Sequence, residues 1–64
     1  MSALLVVRGQ EQPVAAGKTL AEALRSLGLE PEMYLAVRDG ALIPVTETVR
    51  EGDVIRLVPV ISGG

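Results

Sequence analysis

The 64-residue sequence contains no cysteine and no histidine. Without cysteine the fold has no disulfide, and without either residue a structural zinc site lacks its usual thiolate and imidazole ligands. Nucleophilic triads and most acid/base pairs are built on the same two residue types, so an enzyme active site is disfavoured. The missing disulfides are compatible with a reducing cytoplasm, which is the expected location.

Aromatic residues are nearly absent as well, since the sequence has no Phe or Trp and a single Tyr, Tyr34. The hydrophobic fraction is nevertheless 48%, supplied by Val, Leu, Ile and Ala, and this is enough for a compact aliphatic core. A chain of this length forms one domain with no room for a large internal active site. The apolar run at residues 4–7 is too short for a signal peptide or a membrane span, so no membrane association is expected.

Charge of neither sign is concentrated, and the formal net charge is −2. The six basic residues are scattered as Arg8, Lys18, Arg25, Arg38, Arg50 and Arg56. A surface that binds a phosphate backbone gathers its cations, so direct nucleic-acid binding is disfavoured. Asp39 and Asp53 each adjoin a glycine, which indicates turn chemistry rather than acid catalysis or cation binding. No metal site and no bound cofactor is predicted.

The hydrophobic pattern predicts five extended segments. They cover residues 4–8, 12–16, 34–38, 41–45 and 54–61. The first two are separated by Gly9-Gln10-Glu11, and Asp39-Gly40 predicts a two-residue type I′ turn between the third and fourth. Because Pro13 has no amide hydrogen to donate, the second strand is expected at an edge of the sheet.

One helix is predicted over residues 20–27, where Leu20, Ala23, Leu24 and Leu27 recur at helical spacing. Thr19 and Glu22 match a capping box before it, and the following Gly28 suits a left-handed end. The helix falls between two hairpins, and the last apolar run is hydrophobic enough to be central.

These features favour an α+β domain of the β-grasp type over a simple meander. The prediction is a mixed sheet of four to five strands with one main helix packed on one face. The domain is expected to occupy residues 1–61, followed by a flexible tail at residues 62–64.

The tail is the segment of this sequence that fits a chemical role. Ser62-Gly63-Gly64 lacks bulky side chains, so it suits a narrow slot in another enzyme. The Gly64 carboxylate is a poor electrophile until an ATP-using partner activates it as an acyl-adenylate. Attack by a sulfur nucleophile then gives a thiocarboxylate. A terminal diglycine is a weak signal alone and a strong one on a β-grasp domain.

The whole sequence resembles the ubiquitin-like sulfur carriers, the family of the thiamine-thiazole carrier ThiS and the molybdopterin-synthase small subunit MoaD. The similarity lies at Thr19-Leu20, Leu27-Gly28-Leu29, residues 36–40, residues 49–53 and Gly63-Gly64. Within the family, residues 29–32, 36–38 and 61–64 look most similar to the bacterial carriers for 2-thiouridine in tRNA.

The resemblance implies a carrier protein and not an enzyme. Gly64 would be the covalent site, adenylated by an enzyme of the ubiquitin-activating type that uses ATP and a sulfur donor. Sulfur would come indirectly from a cysteine desulfurase or a rhodanese-type protein and pass to an accepting enzyme, foremost a tRNA thiolase. The alternatives are a carrier for thiamine thiazole or molybdopterin synthesis, a modifier conjugated to lysines, and a purely structural small subunit.

A docking face for these partners is predicted on the last strand. If Ile55 and Leu57 point toward the helix, alternate residues point outward beside the tail. The predicted docking face consists of Ala36, Arg38, Arg56, Val58 and Val60. The alternative is that Val58 and Val60 are only strand formers or turn inward at a bulge at Pro59. Lys18, the only lysine, is a candidate acceptor for conjugation, and the alternative for it is a solvated loop side chain.

Overall fold

The computed structural model describes residues 2–60. The elements in chain order are strand β1 (Ser2–Val7), strand β2 (Gln10–Ala15), helix α1 (Leu20–Ser26), a 3₁₀ turn (Pro31–Met33), strand β3 (Tyr34–Arg38), strand β4 (Ala41–Ile43) and strand β5 (Val54–Pro59). The strands form one sheet in the order β2-β1-β5-β3-β4. β1 and β5 are parallel, whereas the other three pairs are antiparallel. This mixed five-stranded sheet with one helix confirms the predicted β-grasp fold.

Strand β5 occupies the centre of the sheet, as its long apolar run predicted. It lies between β1 and β3, so its backbone is hydrogen-bonded on both sides. β2 is an edge strand, which confirms the expectation from Pro13, because an edge strand has one row of amide groups that needs no partner.

Both hairpins reverse through two residues with positive φ, the geometry of a type I′ turn. Asp39 and Gly40 have φ of 54° and 78°, as predicted. In the first hairpin the prediction was wrong, because the reversal lies at Arg8 and Gly9, with φ of 52° and 77°. Residues 10 and 11 belong to β2 and pair with residues 7 and 6 of β1. Arginine is unusual in a left-handed conformation, and for this reason the turn was not visible in the sequence.

Helix α1 begins with the predicted capping box. The Glu22 amide donates to the Thr19 hydroxyl oxygen at 3.2 Å, and the Thr19 amide donates to the Glu22 carboxylate at 3.2 Å. The helix ends at Ser26, one residue earlier than predicted. Gly28 follows in the left-handed conformation, and its amide and that of Leu29 close the last turn on carbonyl groups of the helix.

The core lies between the helix and one face of the sheet. Its buried residues are Ala3, Leu5, Val14, Leu20, Ala23, Leu24, Ala36, Val49, Ile55 and Leu57. Val49 was not expected there, because it lies in the polar segment between β4 and β5. That segment is tied to the residues before the helix: the Val49 amide donates to the Lys18 carbonyl at 2.8 Å, and the Gly17 amide donates to the Val49 carbonyl at 2.8 Å.

Candidate docking face and the route to the C-terminus

Strand β5 leads from the centre of the sheet toward the C-terminal residues. The amide of Val60, one residue beyond the strand, donates to the Met33 carbonyl at 2.8 Å and so fixes this exit point against the start of β3. The predicted covalent site Gly64 and the tail residues Ser62 and Gly63 lie outside the described residues.

The sheet face opposite the helix is apolar and uncovered in the described part of the chain. We call it the outer face. It comprises Leu4, Val6, Leu35, Val37, Leu42, Val54, Arg56 and Val58, which the strand register places side by side. Leu42, Val54, Leu35 and Val58 are 68%, 56%, 48% and 41% exposed. Single exposed apolar residues are ordinary, but a contiguous exposed patch is typical of a partner surface.

The face forms because β5 alternates. Ile55 and Leu57 are buried beneath the helix, as predicted, so Val54, Arg56 and Val58 are turned the other way. β5 runs through Pro59 in unbroken register with β3, so the alternative of a bulge that turns Val58 inward is wrong.

The prediction was wrong for Ala36 and Arg38. Ala36 pairs with Leu57 and is 2% exposed, so it lies on the helix side of the sheet, and Arg38 shares that side because it is two residues further. The outward residues of β3 are Leu35 and Val37, which pair with Val58 and Arg56. Sequence alternation alone gives two equivalent choices of face for β3, and only its register with β5 decides between them.

Arg38 has a different role from the predicted one. Its guanidinium donates to the Glu47 carboxylate at 3.2 Å and to the Asp53 carboxylate at 3.1 Å. The Asp53 carboxylate also accepts the Arg50 amide at 2.9 Å, which confirms its turn chemistry. The hydrogen bond to Glu47, together with Asp53, raises the pKa of Arg38 above its usual value. Arg38 thus ties the segment between β4 and β5 to β3.

A depression lies on the outer face, with a volume of about 320 Å³. It is lined by Val6, Val37 and Val54, by Arg56, and by the turn residues Asp39 and Gly40. Its floor is therefore aliphatic and its cation is Arg56, an arrangement suited to an apolar side chain with an acidic group beside it.

Lys18 is exposed, as a conjugation acceptor must be. Its backbone is held by the hydrogen bond of its carbonyl with the Val49 amide. Within residues 2–60 no group of three or more acidic, His or Cys side chains is placed to hold a metal ion. No helix in the same part of the chain is long and apolar enough to cross a membrane.

A β-grasp domain with one open apolar face, whose central strand leads to a diglycine, has the architecture of a small ubiquitin-like carrier protein. The model of the ThiS family matches residues 4–64 of this chain. The chain therefore belongs to the ThiS family. This placement confirms the predicted class, because proteins of this type are small carriers and not enzymes.

Two relatives illustrate the similarity. Sulfur carrier protein TtuB of Thermus thermophilus is 40% identical over 55 residues, which are 86% of this chain and 85% of that protein. An uncharacterized protein of Archaeoglobus fulgidus is 44% identical over 48 residues, which are 75% of this chain and 70% of that protein.

Proposed function

We propose that this protein carries sulfur as a thiocarboxylate on Gly64 and donates it for the synthesis of 2-thiouridine in tRNA. The observation that carries the proposal is the match to the ThiS family, which runs through Gly64 on a β-grasp domain. Similarity to a relative named as a sulfur carrier supports the cargo. The resemblance of residues 29–32 and 36–38 to the carriers for tRNA supports the acceptor.

The chemistry proceeds in two steps on the terminal carboxyl group. A Gly64 carboxylate oxygen attacks the α-phosphate of ATP, and pyrophosphate leaves, which gives an acyl-adenylate. A sulfur nucleophile at the oxidation level of sulfide then attacks the acyl carbon. The C–S bond forms as the C–O bond to AMP breaks, and AMP leaves with the electron pair. The product is the thiocarboxylate.

The partner enzymes supply the catalytic groups, because this chain has neither cysteine nor histidine. The first partner is an adenylating enzyme of the ubiquitin-activating type, which uses ATP and a sulfur donor. A cysteine desulfurase or rhodanese-type protein provides the sulfur indirectly, as a persulfide that a cellular thiol reduces to sulfide while the thiol is oxidised to a disulfide. A tRNA thiolase receives it, so the carrier itself contacts neither nucleic acid nor membrane. All of these steps belong to the cytoplasm.

The outer face is the surface by which the carrier is held while Gly64 reacts. Arg56 and Val58 lie on it, and Val60, which is 36% exposed, connects it to the tail. An apolar patch that adjoins a reactive terminus allows one partner to bind the body and the tail together.

Lys18 supports a second candidate function, in which the activated Gly64 carboxyl group forms an isopeptide bond with a lysine. An exposed amine is the nucleophile for an isopeptide bond, and Lys18 is the only lysine of the chain. Protein adducts in a cell extract that disappear both on deletion of Gly64 and on Lys18→Arg in the carrier would identify linkage between copies of this protein.

The first experiment is the intact mass of the carrier before and after incubation with ATP, a sulfur donor and the adenylating enzyme of the same cell. We expect a gain equal to the difference between sulfur and oxygen. The variant that lacks Gly64 is expected to show no gain and an unchanged melting temperature. No gain in the complete chain, with an enzyme that is active in pyrophosphate exchange, would favour a structural subunit and refute the carrier proposal.

A further inference from the structure

We propose that Arg56 is a specificity-determining residue that binds a carboxylate of the adenylating enzyme when that enzyme covers the outer face. The inference rests on the proposed function and adds to it the chemistry of the partner surface. Four observations lead to it: the surroundings of Arg56, its lack of an acidic partner, the depression beside it, and its continuity with the tail.

Arg56 stands in the middle of aliphatic side chains. Its neighbour in β1 is Val6 and its neighbour in β3 is Val37. Along β5, Val54 and Val58 lie on the same face before and after it. The guanidinium is therefore the only charged group that the three central strands present on this face in residues 2–60.

No carboxylate of the described chain neutralises Arg56. The ion pairs in residues 2–60 are the two made by Arg38 on the other side of the sheet. Glu11 in β2 is the partner of Val6, and Val6 in β1 is the partner of Arg56. Glu11 therefore lies two strands away from Arg56, with roughly 10 Å between their Cα atoms. Asp39 lines the depression from the turn between β3 and β4 but forms no ion pair with Arg56.

A partner that covers this face must therefore supply an acceptor for the guanidinium. A cation that is removed from water without a counter-charge is costly, whereas a carboxylate accepts two parallel hydrogen bonds from arginine. The aliphatic lining of the depression fits an apolar side chain next to that carboxylate. A phosphate backbone fits less well, since it calls for several cations and this face carries one.

The tail points to the adenylating enzyme as the occupant, because in the proposed function that enzyme is the first to act on Gly64. From Val60 to Gly64 a chain spans at most about 14 Å, since each residue extends at most about 3.6 Å. Val60 is fixed to Met33 beside the end of β5, so an enzyme that reacts at Gly64 has its active site close to the outer face. Because the same enzyme binds the face and the tail, its contact with Arg56 helps it to distinguish this carrier from others before activation.

Three substitutions at one position separate charge from packing. Arg56→Glu reverses the charge, Arg56→Met keeps an apolar stem without charge, and Arg56→Lys keeps a charge that cannot bind two oxygens side by side. The control is Arg25→Glu, because Arg25 is exposed on the helix, away from the outer face. Thermal melting of each variant checks that the fold is intact.

Two measurements are made with the adenylating enzyme of the same cell: the Kd of the complex by titration calorimetry, and KM and kcat of ATP–pyrophosphate exchange. We expect Arg56→Met to raise the Kd and KM by about 10-fold to 100-fold, as loss of a charged hydrogen bond does, with kcat little changed. Arg56→Glu is expected to raise them further, and Arg56→Lys less. Added salt should weaken binding of the wild-type chain more than that of Arg56→Met.

Equal affinity of Arg56→Glu and Arg25→Glu for the enzyme would overturn the proposal, as would a loss of tRNA binding by Arg56→Glu with unchanged enzyme binding. Failure of the underlying function looks different, because the wild-type chain would then gain no sulfur. If the wild-type chain gains sulfur and Arg56→Glu does so with the same KM, the carrier function stands and the role of Arg56 is refuted.

Discussion

The substitution Leu24→Ala tests how the fold is held together. Leu24 is on the inner side of helix α1, is fully buried and belongs to the core between helix and sheet. Removing three carbons costs roughly 2.4 kcal/mol of transfer free energy at about 0.8 kcal/mol per carbon. The residual cavity adds about 1–2 kcal/mol, so the total is about 3.4–4.4 kcal/mol. A domain of 64 residues has a free energy of unfolding of roughly 3–10 kcal/mol.

The assay is urea unfolding followed by far-ultraviolet circular dichroism, with Leu42→Ala as the matched control. Leu42 is the same residue type at 68% exposure, so its truncation is expected to cost less than about 0.5 kcal/mol. If Leu24→Ala does not fold, Ile55→Val in β5 keeps the test quantitative, with an expected cost of about 0.5–1.5 kcal/mol. A loss at Leu24 no larger than at Leu42 would refute the packing of helix α1 on the inner sheet face and the exposure of Leu42 on the outer face.

Two further predictions concern the polar contacts of the fold. Thr19→Ala should cost about 1 kcal/mol in the free energy of unfolding. Hydrogen bonds from the Thr19 amide, and secondly from the Thr19 hydroxyl, lower the pKa of Glu22 in the folded chain. The unfolded chain therefore binds more protons in acid. The stabilisation of the fold by ionised Glu22 is present at neutral pH and is lost as the pH falls through the lowered pKa. Urea unfolding across the acid range should show a weaker pH dependence in Thr19→Ala. Arg38→Met should destabilise the fold more than Arg25→Met in the same assay, because Arg38 has two carboxylate partners within 3.2 Å.

The sequence predicted the elements well where local chemistry decides them. The capping box at Thr19, the left-handed Gly28 and the Asp39-Gly40 turn each follow from the properties of one or two residues. The central place of β5 also followed, because its run of apolar residues is the longest in the chain. The helix cap, the helix end and the turn depend on few long-range contacts, and the central place of β5 follows instead from its hydrophobicity.

The errors arose where pairing between distant segments decides the outcome. The face of Ala36 is set by its register with Leu57, 21 residues later in the sequence numbering, and alternation within β3 does not reveal it. The burial of Val49 depends on its backbone contacts with the residues before the helix. The turn at Arg8 has the geometry of the Asp39 turn without its sequence signal. The outer face was thus predicted correctly on β5 and incorrectly on β3.

Strand β5 contributes both to the core and to the outer face, through different residues. Ile55 and Leu57 hold the sheet against the helix, while Arg56 and Val58 face away from the core. Because the two sets alternate, a change on the outer face removes little buried contact area and should alter partner affinity more than stability. The strand is paired on both sides and its exit is fixed at Val60, so a partner that recognises the outer face meets the tail at a constant place. Under the proposed function, recognition of the body would direct chemistry at a diglycine that has no side chains of its own to recognise.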